Sequence, residues 1–218
     1  MHSPAIEDYL KTIYELQCTE GPVGTKLLAE GMGVTPASVT GMIKKLAEMK
    51  LAVHEPYQGV RLTKAGQKIA LEVLRHHRLI ERFLAEALGV PWDRVHEEAH
   101  KIEHVISEDL EERMDAMLGH PTTDPHGSPI PRPDGTIDES ANTRLAELKT
   151  GQSAVVAEVS DHDSTLLRYL GDLGLYPDTA VSVMAVAPLD GLMTVRVGNK
   201  QHALSHAVAN EVLVANVK

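Results

Sequence analysis

Cysteine is nearly absent from the 218-residue sequence, which contains only Cys18. A single thiol excludes an intrachain disulfide and a thiolate-rich zinc site. No apolar run approaches the roughly 18 residues that a membrane-spanning helix needs, and the first residues lack the basic and apolar regions of a secretory signal. We therefore expect a cytoplasmic protein without a membrane partner, long enough for two or three small domains.

Positive charge is also scarce, because 21 Lys and Arg stand against 31 Asp and Glu and the formal net charge is −10. The balance differs along the chain. Residues 1–78 contain ten basic and eight acidic residues, and residues 79–218 contain eleven basic and twenty-three acidic residues. Contacts with nucleic-acid phosphates therefore belong to the first third, whereas the acidic remainder suits cations.

A helix-turn-helix pattern lies within residues 25–48. A short helix is followed by the glycine turn GMGV, and Thr35 and Pro36 suit the N-cap and first position of a second helix. Small polar and basic side chains remain outside on that helix, as a helix in the major groove requires. The residues that we expect to contact DNA are Thr35, Pro36, Ala37, Ser38, Thr40, Lys44, Lys45 and, on the hairpin that follows, Arg61.

The inward face of this second helix is predicted to contain Val39, Ile43 and Leu46, which are spaced by about one turn. Residues 51–63 then read as two short strands around Gly59, the pattern of a wing. The alternative is a generic helical pair whose lysines are merely solvated. The added wing favours DNA binding.

Histidine and glutamate recur at helical spacing in the middle of the chain. His77 and Glu81 are four residues apart and share one helix face. The members of a second stripe, on a helix predicted over about residues 92–106, are His96, His100, Glu103 and His104. This stripe spans roughly 100° of the helix surface. A solvated face is the ordinary alternative, but two such sets separated by a tight turn favour a metal site.

A further helix is expected after Ser107, which suits its N-cap. Its inner face is predicted to hold Leu110, Met114, Met117 and Leu118, and the methionines are assigned to packing rather than to metal binding. Apolar faces that stay exposed on these helices would pair with a second subunit, as a reader of palindromic DNA requires.

Residues 119–138 are rich in proline and have no helical period, so we expect a loop or linker. Asp124 and His126 lie inside it. The alternative to a ligand role is a turn in which the aspartate caps backbone amides.

In the last third of the chain, short segments of alternating apolar and polar residues predict β-strands, and one helical segment interrupts them. This pattern predicts a small, partly open β-barrel. A polar cluster, Asp161, His162 and Asp163, precedes the helical piece. It would either supply a metal ligand or simply cap the helix.

Several motifs together resemble a known family. They are EDYLKTIYEL, VTPASVTGMIKKL, HRLIERFL, VHEEAHKIEHVISEDLEERM, DPHGSPIP and LRYLGDLGLYPD. The chain is similar to metal-dependent transcriptional repressors of the diphtheria-toxin-repressor and manganese-transport-regulator family, in the long form. The resemblance implies a mainly α fold with a small β part. Its three domains are a winged helix-turn-helix DNA-binding domain at 1–72, a helical dimerisation and metal-binding domain at 73–139, and a Src-homology-3-like barrel at 140–218.

The resemblance also implies two metal sites and a contributing loop. The ancillary site would use His77, Glu81, His96 and a barrel carboxylate, for which Asp163 is preferred and Asp161 and His162 are the alternatives. The proline-rich loop would add Asp124 and His126. The regulatory site would use Asp8, His100, Glu103 and His104, with His77 near enough to join. Two positions differ from the manganese-responsive pattern, because His100 and Lys11 stand where such members have acids.

The function that the resemblance implies is metal-activated repression of metal-uptake genes by a homodimer bound to a palindromic operator. Ligands that are all oxygen or nitrogen favour Mn(II) first and Fe(II) second, although Zn(II), Co(II) or Cd(II) should bind in vitro. An iron-dependent regulator of the same family is the main alternative. A metal-dependent hydrolase and a metal buffer are the alternatives from other classes, but no nucleophile motif accompanies the ligands, so we expect no enzyme.

Overall fold

A computed structural model describes residues 2–55, 58–138, 141–189 and 191–218, without the side chains of Thr19 and Glu20. Its contacts divide the chain into two compact units. Unit 1 comprises Met1–His77, Glu103–Ile106 and Pro131–Thr136, and unit 2 comprises Arg78–Ile102, Ser107–Ile130 and Ile137–Lys218. The division into three domains stays a prediction.

Unit 1 contains the helix-turn-helix and the wing that the sequence predicts. Its helices and strands are α1 (Pro4–Glu20), α2 (Thr25–Met32), α3 (Pro36–Glu48), β1 (Ala52–Glu55), β2 (Gly59–Leu62) and the first part of α4 (Lys64–Leu88). The Thr35 hydroxyl accepts a hydrogen bond from the Ser38 amide at 3.3 Å and caps α3, whose first residue is Pro36. Thr63 likewise accepts from the Gly66 amide at 3.1 Å at the start of α4.

The core of unit 1 forms because α1, α2 and α3 each turn one apolar stripe inward. Val39, Ile43 and Leu46 are buried, as predicted, and lie in one cluster with Leu10 and Leu28. The wing is an antiparallel hairpin in which β1 pairs with β2. Because α3 buries one face in this cluster, its other face stays exposed.

Unit 2 contains the rest of α4, four further α-helices and the C-terminal sheet. The remaining elements are α5 (Val95–Ile102), α6 (Glu108–Met117), β3 (Thr143–Arg144), β4 (Ser153–Val159), α7 (Ser164–Leu173), β5 (Ala180–Val186), β6 (Met193–Val197), β7 (Lys200–Leu204), α8 (His206–Asn210) and β8 (Val212–Ala215). The six strands pair antiparallel in the order β3-β8-β4-β5-β6-β7. The strand β7 was not predicted, because its sequence, KQHAL, contains no β-branched or aromatic residue. No described helix is both long and apolar enough to cross a bilayer.

The helix α5 is shorter than the sequence predicts. It ends at Ile102 instead of near residue 106, and Glu103 and His104 lie in the turn that follows. The prediction of one continuous helical stripe is therefore wrong. His96 and His100 lie on α5 in unit 2, whereas Glu103 and His104 belong to unit 1.

The predicted inner face of α6 is also wrong in part. Ser107 caps the helix as expected and Met114 is buried, but Leu110 is 46% exposed and Met117 is 68% exposed. Helical spacing alone does not say how much of an apolar stripe a neighbouring element covers. On the apolar face of α6, Met114 is packed against neighbouring residues, whereas Leu110 and Met117 remain exposed.

The proline-rich loop is ordered where it meets the sheet. The Val159 amide donates to the carbonyl oxygen of His126 at 2.9 Å, and the Ser128 hydroxyl donates to Glu158 at 2.8 Å. Gly127 makes this approach possible, since a Cβ there would meet the carbonyl oxygen of Ala157 at 2.0 Å. The loop is therefore held against β4.

Replacing Gly127 with Ala should destabilise unit 2 by about 2 to 4 kcal/mol, because the methyl group overlaps β4 and the φ of +93° is unfavourable for alanine. Gly151→Ala is the matched control, with a φ of +91° and open space around its Cβ position. Urea unfolding followed by the fluorescence of Trp92 measures both. Equal losses in the two variants would show that the contact with β4 is unimportant.

Candidate functional site

Unit 1 gathers three of the predicted ligands into what we call the α1 cluster: Asp8, Glu103 and His104. Each offers one ligand atom, and these atoms lie within 4.8 Å of one another. The His104 Nε2 atom is 2.8 Å from Asp8 Oδ1 and 3.3 Å from Glu103 Oε1. Nitrogen and carboxylate oxygen at these distances suit a divalent cation such as Mn(II), Fe(II) or Zn(II).

Glu7 orients the imidazole of the α1 cluster, a role that was not predicted. Its Oε2 atom lies 2.7 Å from His104 Nδ1. If Nδ1 donates its proton to Glu7, the lone pair of Nε2 can bind a metal ion placed beside Asp8 and Glu103. A carboxylate that fixes the tautomer of a metal-binding histidine has this geometry. In the sequence, the only indication of this role for Glu7 is that it precedes Asp8 directly.

Glu103 is fully buried and is surrounded by cationic partners. Lys11 Nζ donates to Glu103 Oε1 at 2.7 Å and to Oε2 at 2.9 Å, and His77 Nδ1 lies 2.5 Å from Oε2. Burial opposes ionisation of Glu103, but the hydrogen bonds and charges of His77 and Lys11 outweigh it and hold its pKa well below the ordinary value. The carboxylate is therefore ionised.

Unit 2 contains a second group, the sheet cluster, composed of Glu81, His96 and Asp161. His96 Nδ1 lies 3.2 Å from Glu81 Oε1 and 3.2 Å from Asp161 Oδ2. Burial opposes protonation of His96, but hydrogen bonds to Asp161 and Glu81 raise its pKa to about 10. Two carboxylates around one imidazole thus hold a proton where a metal ion can replace it.

Asp163, the preferred barrel ligand, caps a helix in the structure, and its role in metal binding stays a prediction. Its carboxylate accepts from the amides of Thr165 at 2.7 Å and Leu166 at 3.4 Å, so it caps α7. The alternative that lies beside Glu81 and His96 is Asp161. Because the cap fixes Asp163 at the start of α7, only the residue two positions earlier reaches the cluster.

The loop cluster consists of Glu81, Asp124 and His126, all buried, with ligand atoms within 4.8 Å of one another. Asp124 Oδ1 accepts hydrogen bonds from the amides of His126 and Ser128 at 2.8 and 3.0 Å. Its second oxygen, Oδ2, takes no part in these hydrogen bonds. His126 Nε2 donates to the carbonyl oxygen of Trp92 at 2.7 Å, which leaves Nδ1 without a proton in the neutral ring. The structure thus places both loop residues beside Glu81, and their role as additional metal ligands stays a prediction.

The loop cluster fits a cation because two of its atoms are unsatisfied. Asp124 Oδ2 and His126 Nδ1 are buried, and neither has a hydrogen-bond partner among the described residues. Burial, and then the charge of Glu81, raise the pKa of Asp124 well above its ordinary value. The Arg78 Nε atom lies 3.8 Å from Asp124 Oδ2, beyond hydrogen-bond distance. A divalent ion would satisfy both atoms and relieve the repulsion between the carboxylates.

The residues predicted to contact DNA are all exposed in unit 1. Thr35, Pro36, Ala37, Ser38, Thr40, Lys44 and Lys45 are all exposed on or beside α3, and Arg61 is exposed on β2. The Thr40 hydroxyl donates to the carbonyl oxygen of Pro36 at 2.9 Å. His100 is exposed on α5 in unit 2, and its role as a ligand stays a prediction.

Three family models match consecutive parts of the chain. They describe an iron dependent repressor N-terminal DNA binding domain (residues 1–60), an iron dependent repressor metal binding and dimerisation domain (residues 63–132) and a FeoA domain (residues 143–216). The iron-dependent repressor IdeR of Mycobacterium tuberculosis (strain ATCC 25618 / H37Rv) is 34% identical over 97% of this chain and 96% of its own. The chain belongs to the iron-dependent repressor family.

Solved structures of this family include manganese-dependent proteins. A manganese-dependent transcriptional repressor in complex with manganese is 38% identical, with a TM-score of 0.91 over 96% of this chain and 98% of the other. The manganese regulator SloR is 32% identical, with a TM-score of 0.82 over 98% and 99%. The chain is thus a metal-dependent transcriptional repressor and not an enzyme, and the predicted fold class and family are confirmed.

The pH dependence of stability tests the sheet cluster in metal-free protein. The folded-state pKa of His96 is raised to about 10 from an ordinary value of 6.5. Its proton therefore contributes stability fully below about pH 6.5, and this contribution is lost as the pH rises to about 10. Thermal unfolding over that interval should show a fall in Tm that His96→Gln reduces. His120→Gln, at an exposed ion pair with Asp115, is the control and should keep the parent's profile. A parental profile in His96→Gln would contradict the assigned pKa.

Proposed function

We propose that the chain is a manganese-activated repressor of metal-uptake genes that acts in the cytoplasm. The observation that carries this proposal is the pair of buried, unsatisfied ligand atoms, Asp124 Oδ2 and His126 Nδ1, beside Glu81. Buried polar atoms without a partner are rare in folded proteins, and a bound cation would provide the missing partner for both of these atoms. An iron-activated repressor is the second candidate, supported by the identity with IdeR.

Manganese is favoured because the three clusters offer only carboxylate oxygen and imidazole nitrogen. Such donors suit Mn(II) and Fe(II), whereas thiolates would select softer ions. The structural relative with bound manganese supports the same choice. Zn(II), Co(II) and Cd(II) should also bind in vitro, because affinity rises along the Irving–Williams series.

The proposed ligand sets follow the clusters. Asp8, Glu103 and His104 would hold one ion, with His100 as a proposed fourth ligand. Glu81, His96 and Asp161 would hold another, with His77, one turn earlier on α4, as a proposed ligand. Asp124 and His126 would extend the second site from the loop.

Activation would proceed through the α1 cluster. Asp8 lies on the first helix of the proposed DNA-binding domain, whereas Glu103 and His104 follow α5 in the proposed dimerisation domain. Without a metal ion, Lys11 balances only part of the negative charge of Glu7, Asp8 and Glu103, and the remaining repulsion favours a looser arrangement. A bound divalent ion supplies the positive charge that holds them together, and this fixes the recognition helices for operator binding.

A homodimer on a palindromic operator completes the proposal. Leu110 and Met117 are exposed on α6, and an apolar pair on one helix is suited to burial against a second subunit. Two copies of α3 would then enter successive major grooves, one helical turn or a multiple of it apart.

Asp8→Ala tests the coupling between metal and DNA. In the wild type we expect Mn(II) to raise the affinity for a duplex selected from random sequences by about 5- to 150-fold. Asp8→Ala should lose most of this increase, because the α1 cluster loses a carboxylate. Fluorescence anisotropy with and without Mn(II) measures it, and Glu15→Ala on the same helix is the control. Undiminished metal dependence in Asp8→Ala would contradict the coupling.

The DNA contacts are tested by the double variant Lys44→Ala/Lys45→Ala. Each phosphate contact that is lost should reduce the slope of log affinity against log salt by about 0.9, so the pair should reduce it by about two. Lys149→Ala, an exposed lysine in unit 2, should leave the slope unchanged. A parental slope in the double variant would place the phosphate contacts elsewhere.

A further inference from the structure

The main-chain carbonyl of Trp92 binds the imidazole of the loop cluster. Trp92 lies in the turn before Val95, the first residue of α5. Its carbonyl oxygen accepts a hydrogen bond from His126 Nε2 at 2.7 Å. His126 is fully buried, and its second nitrogen, Nδ1, has no hydrogen-bond partner among the described residues. In the neutral ring, this hydrogen bond keeps the proton on Nε2, so the lone pair of Nδ1 remains available.

The indole ring of the same tryptophan packs against the C-terminal sheet and α7. It contacts the buried core of this part of unit 2, and its centroid lies 4.6 Å from that of the Tyr176 ring. Gly171 on α7 allows this close approach, because a Cβ there would lie 3.2 Å from Trp92 Nε1 and 2.8 Å from the Tyr176 hydroxyl. Arg168 and Asp93, 3.3 Å apart, form an ion pair beside it. The side chain of Trp92 therefore anchors the backbone of this turn to α7.

The two contacts of Trp92 have different consequences. Packing of the indole contributes to stability, as burial of an aromatic ring does in general. The hydrogen bond to His126 decides which imidazole nitrogen carries the proton. This choice determines whether Nδ1 can bind a cation beside Glu81 and Asp124. If the carbonyl moved away, the ring could adopt the other tautomer, and Nδ1 would then carry the proton.

We infer that Trp92 is a positioning residue for the loop cluster: its indole is fixed on α7, and its carbonyl thereby keeps the proton of His126 on Nε2 and leaves Nδ1 available to a cation. Metal affinity in unit 2 thus depends on packing at a residue that is not itself a ligand. This inference rests on the proposed function, since it concerns one of the proposed metal clusters. The tautomer of His126 can nevertheless be observed in metal-free protein.

Four variants separate the position of the carbonyl from a general loss of packing. Trp92→Ala removes the indole, whereas Trp92→Phe keeps an aromatic ring against α7. Gly171→Ala changes neither Trp92 nor His126 but adds a methyl group beside the indole and Tyr176. Gly41→Ala is the matched control, because Gly41 also lies within a helix and has open space around its Cβ position.

The tautomer of His126 is measured in the metal-free full chain by two-bond proton–nitrogen correlation NMR, with His126→Gln to assign the signals. An ordinary imidazole is largely neutral at about pH 8.5, where the spectra are recorded. The wild type, Trp92→Phe and Gly41→Ala should show His126 protonated at Nε2. Trp92→Ala and Gly171→Ala should show both tautomers, because the carbonyl acceptor has moved.

Mn(II) affinity is the second readout, measured by equilibrium dialysis in the Asp8→Ala background, where the α1 cluster is impaired. Trp92→Ala should bind Mn(II) in unit 2 about 10- to 100-fold more weakly, as is usual when a group that orients a metal-binding histidine is lost. In a chain that already carries His126→Gln, Trp92→Ala should have little further effect, because it acts through that imidazole. Additive losses would assign the effect to packing alone and contradict the inference.

A wild-type tautomer in both Trp92→Ala and Gly171→Ala would overturn the inference and leave the proposed function intact. If Trp92→Ala does not fold, the tautomer and the affinity of Gly171→Ala decide in the same way. Failure of the wild type to bind Mn(II) at all would instead contradict the proposed function, and the NMR experiment would still decide where His126 carries its proton.

Discussion

Repulsion between buried carboxylates is the interaction on which the functional part of this structure depends. Asp124 is fully buried, and the neighbouring charge of Glu81 adds to the cost of ionising it. In unit 1, the buried Glu103 and the partly buried Glu7 and Asp8 surround the imidazole of His104. Burying charge is costly unless an opposite charge accompanies it. The folded protein therefore has unfavourable electrostatic free energy at positions where a bound divalent ion would reduce it.

The three clusters differ in how their negative charge is compensated in the absence of a metal ion. The α1 cluster contains its own cation in Lys11, and the sheet cluster holds a proton on His96. The loop cluster has neither arrangement, since Arg78 Nε remains 3.8 Å from Asp124. We therefore expect the loop cluster to gain most from metal binding, and the α1 cluster to respond in a graded way as the ion competes with Lys11.

The sequence predicted well where one local rule decides the outcome. Thr35, Pro36 and the buried Val39, Ile43 and Leu46 follow from capping and helical spacing, and the structure agrees. Sequence patterns decide less where tertiary contacts determine the outcome. The choice between Asp161 and Asp163 depends on which carboxylate caps α7, and the end of α5 at Ile102 depends on ion pairs that Glu103 and His104 make with α1. The metal-ligand and DNA-contact assignments themselves stay predictions.

The most direct test of the proposed metal sites is anomalous diffraction from crystals of the full chain grown with Mn(II). We predict one peak bounded by Asp8, Glu103 and His104 and a further peak beside Glu81 that contacts His96, Asp161, Asp124 or His126. A metal-loaded crystal with no anomalous peak at Glu81, and with Asp124 Oδ2 and His126 Nδ1 still unsatisfied, would contradict it.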